Sequence, residues 1–280
     1  MQSTHVPSFA VVGNPVKHSR SPRIHALFAE QLGIDLCYDR LESPLDQFAL
    51  TVRHFFNQGG RGLNVTVPFK LEARDLASAH LSPRAQQAMA VNTLWLQDGA
   101  LHGCNTDGVG LVADLLRQSA ILLDANVLLV GAGGAARGVI GPLLDAGCSQ
   151  LRVVNRTASR AHELIQAWPD FSKRLSAGGL SEAAKPGGWD IVINASASSL
   201  SDQVPELPGG LYAPDSWAYD MMYDCKATPF MDQALSDGAK LSSDGLGMLV
   251  GQAAESFYIW HGVKPDVSSV INKVRAELTA

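Results

Sequence analysis

The feature that most constrains this chain is a short apolar run that passes straight into a glycine-rich turn. Asn126-Val127-Leu128-Leu129-Val130 is followed at once by Gly131-Ala132-Gly133-Gly134-Ala135-Ala136-Arg137-Gly138. A run without polar alternation suits a strand buried on both faces, as in a parallel sheet. A helix is predicted from the glycines to about Ala146. Residues 131–136 fit G-x-G-x-x-A between a strand and a helix, the arrangement that dinucleotide binding requires. Gly131 permits the tight turn, and Gly133 lets a pyrophosphate approach the backbone. The helix start adds free N–H groups and the positive end of its dipole. The bland alternative is a glycine turn with no ligand, and the flanking strand and helix argue against it.

The surrounding chain repeats the strand–helix alternation. Strands are predicted at Leu151–Val154, Asp190–Asn194 and Trp217–Met221, and a helix at Ala158–Ala167. Short links between them predict a parallel sheet covered on both faces. Upstream, Phe9–Gly13 and Gly62–Val67 read as strands. A helix opens at Pro22 with Ser21 as its expected N-cap, and a second spans Leu45–Asn57. Val91–Leu96 and Ala100–Cys104 flank Asp98-Gly99, a dipeptide that favours a tight hairpin. Met248–Trp260 and Val267–Leu278 are predicted as the last helices.

Composition narrows the class further. With 46% hydrophobic and 18% charged residues, the chain can build a substantial core. A net charge of -5 argues against a sequence-wide grip on nucleic acid, though not against small anions. Cys37, Cys104, Cys148 and Cys225 form no CxxC pair and are too sparse for a disulfide scaffold, which favours a reducing compartment. The opening MQSTHVPSFAVVGNP lacks the pattern of a signal peptide, and no run of about 18 apolar residues predicts a membrane span. The histidines form no HExxH-like cluster, so no metal site is expected. The expectation is a cytoplasmic α/β protein.

The strand after the glycine turn bears on the choice of nucleotide. An acid at its end would hold the free ribose 2′-hydroxyl of NAD. Here the chain reads Val153-Val154-Asn155-Arg156-Thr157, with Arg160 one helical turn on. Arg156 and Arg160 suit a 2′-phosphate, to which Thr157 adds a hydroxyl, and NADP is therefore expected. Ordinary solvated arginines are the alternative.

A second constellation precedes the glycine turn. In Asn64-Val65-Thr66-Val67-Pro68-Phe69-Lys70, a strand would point Asn64 and Thr66 to one face. Lys70 after that strand and Asp107 after the hairpin are candidates for a proton-transfer pair. Spacing alone fits a surface salt bridge equally well. Ser19 and Ser21 place two hydroxyls near a helix start, while Asn92 and Gln252 carry no special signal by themselves.

Taken in order, GNPVKHSRSP, NVTVPFK, AVNT, NTDGVG, GAGGAARG, NRTASR, YDMMY, DGLGMLVGQAA and WHGVKPDV resemble the shikimate dehydrogenase family along nearly the whole chain. The resemblance implies NADP-linked, reversible hydride transfer between shikimate and 3-dehydroshikimate, a step of aromatic amino-acid biosynthesis. It implies Lys70 and Asp107 as the catalytic pair. Ser19, Ser21, Asn64, Thr66, Asn92, Tyr223 and Gln252 match substrate-holding positions. Gly131, Ala132, Gly133, Gly134, Ala135, Asn155, Arg156, Thr157 and Arg160 match the nucleotide site, with Met221 and Gly245 near the nicotinamide. The implied fold is α/β in two domains. Residues 1–107 and 245–280 would form a discontinuous substrate domain, and 108–244 a Rossmann-type nucleotide domain. A monomer or homodimer without nucleic-acid or membrane partners is expected. Two stretches depart from the family's usual wording, Asp224-Cys225-Lys226 after Tyr223 and Ser196-Ala197-Ser198 after Ala195. Rival readings are a broader quinate/shikimate dehydrogenase and a non-catalytic NADP-binding regulator. The Arg156/Arg160 pair argues against the first, and retention of Lys70 and Asp107 against the second.

Overall fold

The computed structural model describes residues 8–196 and 203–279. Residues 1–7 of the opening stretch, together with Ala197 and Ser198, lie outside the described residues. The chain divides into two compact units. The first holds the described residues up to Thr106 together with Val250–Val274, and the second holds Asp107–Leu249 with the described residues from Arg275 onward.

In the first unit the elements are β1 (Phe9–Gly13), α1 (Ser21–Leu32), β2 (Tyr38–Glu42), α2 (Phe48–Asn57), β3 (Gly62–Val65), α3 (Lys70–Leu76), α4 (Pro83–Ala88), β4 (Thr93–Gln97) and β5 (Ala100–Cys104). The sheet order is β2-β1-β3-β4-β5. β1 runs parallel to β2 and β3, while β4 runs antiparallel to β3 and β5. Alternate residues of β1 serve opposite faces. Ala10 and Val12 join a core with Phe48, Phe55 and Phe69, while the Phe9 ring lies 4.9 Å from that of Trp260, tilted by 34°. The hairpin turn has positive φ at both central residues, 51° at Asp98 and 77° at Gly99, as the dipeptide leads one to expect.

Among the boundaries that differ from the sequence reading, three bear on the first unit's core or its candidate residues. Ser21 does not cap α1; it is the first helical residue, and its N–H donates to Ser19 Oγ at 3.3 Å. The oxygen that meets this free helix-start donor therefore comes from two residues upstream. α2 begins at Phe48 rather than Leu45, because Leu45 is exposed and the buried stripe starts at Phe48 with Val52, Phe55 and Phe56. β3 ends at Val65, so Thr66 lies past the strand rather than on its face.

The second unit begins with α5 (Asp107–Arg117) and continues through β6 (Asn126–Val130), α6 (Gly134–Asp145), β7 (Gln150–Asn155), α7 (Ala158–Ile165), β8 (Leu175–Gly179), β9 (Trp189–Asn194), β10 (Tyr212–Asp220), α8 (Pro229–Ser236) and β11 (Leu241–Ser243). α9 (Leu246–His261) starts in this unit and ends in the first. α10 (Val267–Thr279) returns the chain to the second. The sheet is parallel throughout, in the order β11-β10-β9-β6-β7-β8. Successive strands run outward from β6 to one edge and then, from β9, to the other, which is the doubly wound Rossmann order. Val127, Leu129, Leu151, Val153, Ile191 and Ile193 pack on one face. Leu128, Val130, Val154, Val192 and Ala218 pack on the other. Both faces are thus buried, which accounts for the unbroken apolar run at residues 126–130.

A buried carboxylate holds α9 to this unit. Asp114 accepts from Arg117 at 2.7 and 2.9 Å, from Gln118 at 2.9 Å and from the Tyr219 hydroxyl at 2.8 Å. The Tyr219 oxygen in turn accepts from Met248 N at 3.3 Å, in the first turn of α9. Burial, reinforced by the Asp114 charge, pushes the Tyr219 phenol well above its usual range, so it remains a donor.

One buried base makes stability depend on pH. His25 is fully buried and stacked 4.2 Å from the Tyr38 ring. Burial lowers its pKa from 6.5 to about 3. The unfolded chain takes up this proton as pH falls below 6.5, whereas the folded chain refuses it until about pH 3. The stability is thus fully present above the unfolded value and declines as pH falls through that window. Melting curves from about pH 7 to about pH 4 should show a falling Tm, with a shallower slope in His25→Phe. Equal slopes in the two proteins would remove His25 as a source of acid sensitivity.

Candidate active site

The first unit gathers a bank of amides and hydroxyls. Asn64 on β3 is buried, and its Nδ2 lies 2.9 Å from Ser256 Oγ, with Thr93 Oγ1 and Asn92 O at 3.3 Å. Its Oδ1 accepts from the Tyr38 hydroxyl at 2.8 Å. Asn92, just before β4, is buried and points Oδ1 at Thr106 N and Thr93 Oγ1, each 2.9 Å away. Its Nδ2 reaches Thr106 Oγ1 at 2.9 Å and Gln252 Oε1 at 3.3 Å. Asn64, Asn92 and Gln252, expected to hold substrate, are therefore brought into one hydrogen-bonded group. Ser19 and Ser21 form their own pair, Oγ to Oγ at 3.1 Å. Thr66 is half-buried, and its backbone N–H donates to Val12 O at 2.9 Å.

Lys70 is half-buried and opens α3, and Asp107 is buried and opens α5. Both begin helices rather than closing strands. Val91 N donates to Lys70 O at 2.9 Å, and Asn105 Nδ2 donates to Ala90 O at 3.1 Å. The loop carrying Asn92 is thus tied on one side to the Lys70 backbone and on the other to Asn105.

In the second unit the expected nucleotide residues lie at the carboxyl ends of adjacent strands. Val130 pairs with Val154 and Asn194, so the chain leaves β6, β7 and β9 side by side. This edge, between β6 and β9, is the switch point where open α/β sheets bind ligands. Gly131 has φ +115°, and a Cβ there would come within 3.0 Å of the Ala195 carbonyl carbon. Both the backbone angle and the close approach demand glycine. At Gly133 and Gly134 the situation is opposite, since a Cβ would meet nothing within 4 Å. Gly133 is the N-cap of α6 and gives no side-chain cap, so the first N–H groups of the helix face an open cradle. Ala132 and Ala135 flank it, half-buried. Asn155 Nδ2 donates to Thr157 O at 3.0 Å, and Arg156, Thr157 and Arg160 are exposed. Those exposed cations, helix-start N–H groups and space for phosphate fit NADP.

The nicotinamide-side candidates sit on a braced turn. Buried Asp220 accepts from Asn194 Nδ2 at 3.1 Å, from Met222 N at 3.1 Å and from Thr228 Oγ1 at 2.6 Å. Met221 N donates to Asn194 O and Gly245 N to Met222 O, each at 2.9 Å. A Cβ on Gly245 would lie 2.2 Å from Met221 O, so glycine lets these two segments touch. Tyr223 follows, half-buried, in the second unit and outside the amide bank of the first. Of the departures, Asp224, Cys225 and Lys226 are exposed, and Ser196 donates to Asn194 Oδ1 at 2.6 Å.

Sequence reasoning missed Tyr38, Thr93, Thr106, Ser256, Asn194 and Asp220. Thr93 and Thr106 stand inside AVNT and NTDGVG, and Asp220 inside YDMMY, so a signal existed for these three. Ser256 had a weaker one, a hydroxyl one turn beyond Gln252 on an apolar helix. Among the described residues, no group of three His, Cys, Asp or Glu side chains is placed to hold a metal ion, and no helix is long and apolar enough to cross a membrane.

A doubly wound sheet with a glycine turn at its switch point defines a dinucleotide-binding α/β protein. Comparison with known proteins narrows the class. Residues 11–94 match the shikimate dehydrogenase substrate binding domain, 114–201 the shikimate / quinate 5-dehydrogenase family, and 245–275 the shikimate 5'-dehydrogenase C-terminal domain. The chain is 62% identical to shikimate dehydrogenase (NADP(+)) of Bordetella petrii, over 100% of this chain and 99% of that one. Among solved structures, an Ael1 enzyme from Pseudomonas putida is similar at 41% identity and TM-score 0.87, over 97% of this chain and 98% of that one. Shikimate 5-dehydrogenase from Thermus thermophilus, in complex with NADP(H) and shikimate, is similar at 33% identity and TM-score 0.84, over 96% and 99%. The chain belongs to the shikimate dehydrogenase family.

The cradle supports a substitution that separates binding from folding. In Gly133→Ala the new methyl enters open space at a backbone angle that alanine accepts (φ -89°, ψ -170°). Stability should stay within about 0.5 kcal/mol of the parent. NADP should bind at least about tenfold more weakly, because the methyl occupies the room needed for backbone approach. Fluorescence titration with NADPH and a thermal melt check both halves; unchanged affinity would place the pyrophosphate elsewhere.

Proposed function

We infer that this chain is an NADP-dependent oxidoreductase that interconverts shikimate and 3-dehydroshikimate in aromatic amino-acid biosynthesis. The observation that carries the reading is the hydrogen-bonded bank of buried Asn64 and Asn92 with half-buried Gln252, inside the stretches that match the shikimate dehydrogenase families. A polyhydroxylated ring with one carboxylate needs such neutral donors and acceptors, because each buried polar group left unpaired is costly. Ser19, Ser21, Thr66 and Tyr223 complete the proposed substrate set. We assign 1–107 with 245–280 to the substrate domain and 108–244 to the nucleotide domain.

Gly131 to Ala135 hold the pyrophosphate, Asn155, Arg156, Thr157 and Arg160 the 2′-phosphorylated ribose, and Met221 and Gly245 flank the nicotinamide. Bound NADP supplies the hydride chemistry. The chain itself manages the proton. Lys70 Nζ takes it from the substrate hydroxyl during oxidation and returns it during reduction, and the Asp107 carboxylate biases the charge state of that ammonium. Lys70 and Asp107 together form the proposed catalytic pair. Cytoplasmic residence, as a monomer or homodimer, fits the four free cysteines and the small-molecule substrate.

Two variants test these roles. Lys70→Ala should lower kcat by about 10²–10⁴-fold with KM for shikimate much less changed. Near-parental kcat would remove Lys70 from the chemistry. Arg156→Ala should weaken NADP about tenfold or more at low salt while leaving NAD nearly unaffected, since NAD lacks the phosphate being held. Equal losses for both nucleotides would assign Arg156 to the shared adenosine or to the fold.

A further inference from the structure

The amide bank contains more than the residues assigned to substrate. Thr106 N is a backbone group and can only donate, so the atom of Asn92 that it meets at 2.9 Å is the acceptor Oδ1. Thr93 Oγ1 is 2.9 Å from that same oxygen and gives it its single proton. Thr93 must then accept from its other close neighbour, Ser256 Oγ at 2.8 Å. Ser256, with its own proton spent, accepts from Asn64 at 2.9 Å, which turns the Asn64 Nδ2 to the side where Asn92 O also accepts at 3.3 Å. The Asn64 Oδ1 is left facing Tyr38, whose hydroxyl donates at 2.8 Å. Burial pushes the Tyr38 phenol well above its usual range, so its proton stays in place. Gln252 O at 3.1 Å and Thr106 Oγ1 at 3.3 Å are the competing acceptors for the serine proton, and both are longer contacts than Thr93 Oγ1 at 2.8 Å.

We propose that Ser256 and Tyr38 are positioning residues: with Thr93 they form a one-way chain of hydrogen bonds that sets which end of the Asn64 amide is presented to substrate. An amide can flip its oxygen and nitrogen at almost no cost in shape, yet a flipped amide offers donors where the substrate needs acceptors. Ser256 is fully buried and Asn64 nearly so, which removes the bulk solvent that would otherwise compensate a broken link. Ser256 lies on α9 one turn beyond Gln252, so the same helix carries a substrate candidate and the group that orders another. The chain crosses 192 residues of sequence between Asn64 and Ser256. This inference rests on the assignment of Asn64 and Gln252 to the substrate site.

Steady-state kinetics with saturating NADP test it. Ser256→Ala and Tyr38→Phe should each raise KM for shikimate about 5- to 10-fold, the scale of one lost hydrogen bond. Both should leave kcat within about threefold and KM for NADP unchanged. A purely structural role would instead lower Tm without this KM shift. Asn64→Ala supplies the coupling test, because in that background Tyr38→Phe should add no further rise in KM. A full additional rise there would overturn the proposal, as would unchanged KM in both single variants. If Ser256→Ala does not fold, the Tyr38→Phe and Asn64→Ala pair decides alone, since Tyr38→Phe removes only an oxygen. Gln252→Ala is the control for the underlying assignment. A raised KM in Gln252→Ala with normal KM in Ser256→Ala and Tyr38→Phe refutes the positioning role only, and normal KM in Gln252→Ala and Asn64→Ala refutes the site itself.

Discussion

The in-register parallel pairing of β6 with β7 on one side and β9 on the other is the constraint on which the nucleotide half depends. β6 is central, so it gives up both faces and both edges to other protein atoms. That position requires the apolar run at residues 126–130 and forces the chain to leave the sheet by a turn that brings no side chain with it. Gly131 meets that demand with φ +115° against the Ala195 backbone. The same pairing sets Asn155 and Asn194 beside the turn, so the ribose-side and nicotinamide-side candidates arrive together. Asp220 then braces the next strand end with three hydrogen-bond partners. Each such buried bond, if broken, leaves a polar atom unsatisfied at a cost of about 1–3 kcal/mol.

The first unit solves a different problem, the display of uncharged polar groups in a buried place. Its sheet supplies Asn64 from a parallel strand, and the loop after Ala90 supplies Asn92. Hydroxyls from Thr93, Thr106 and Ser256 fill the gaps between them. The aromatic cluster of His25, Tyr38, Trp260 and Phe257 closes the space behind this network. His25 sits there as a neutral aromatic ring, and that role explains why its pKa falls to about 3. Polarity is therefore spent where a polyhydroxylated ligand would use it, and excluded one layer behind.

Legibility in the sequence followed burial and locality. The Asn126–Val130 strand and the Asp98-Gly99 turn were readable because their signals are local. Three edge strands were not, among them Leu175–Gly179, which ends in two glycines. Of the other two, Tyr38–Glu42 is mostly exposed and Leu241–Ser243 has three residues, so neither shows a buried pattern. Ser21 was misread as a cap because a serine before a proline signals a helix start without saying which serine oxygen meets the free N–H. For the site, residue strings such as NVTVPFK and NTDGVG pointed to Asn64, Lys70 and Asp107 through family resemblance. Ser256 could not be found that way. A serine on an apolar helix gains meaning only when folding brings it 2.9 Å from an asparagine distant in sequence.

The central claim is that this chain oxidises shikimate with NADP. Initial rates of NADP and NAD reduction, each with shikimate and with quinate, test it most directly. The account predicts that kcat/KM with shikimate is at least about tenfold higher for NADP than for NAD, the scale of one Arg–phosphate contact, and that with NADP shikimate is used in preference to quinate. Equal or greater efficiency with NAD would contradict the specificity argued from Asn155-Arg156-Thr157, equal or greater efficiency with quinate would favour the broader quinate/shikimate dehydrogenase, and no reduction with any pair would contradict the dehydrogenase itself.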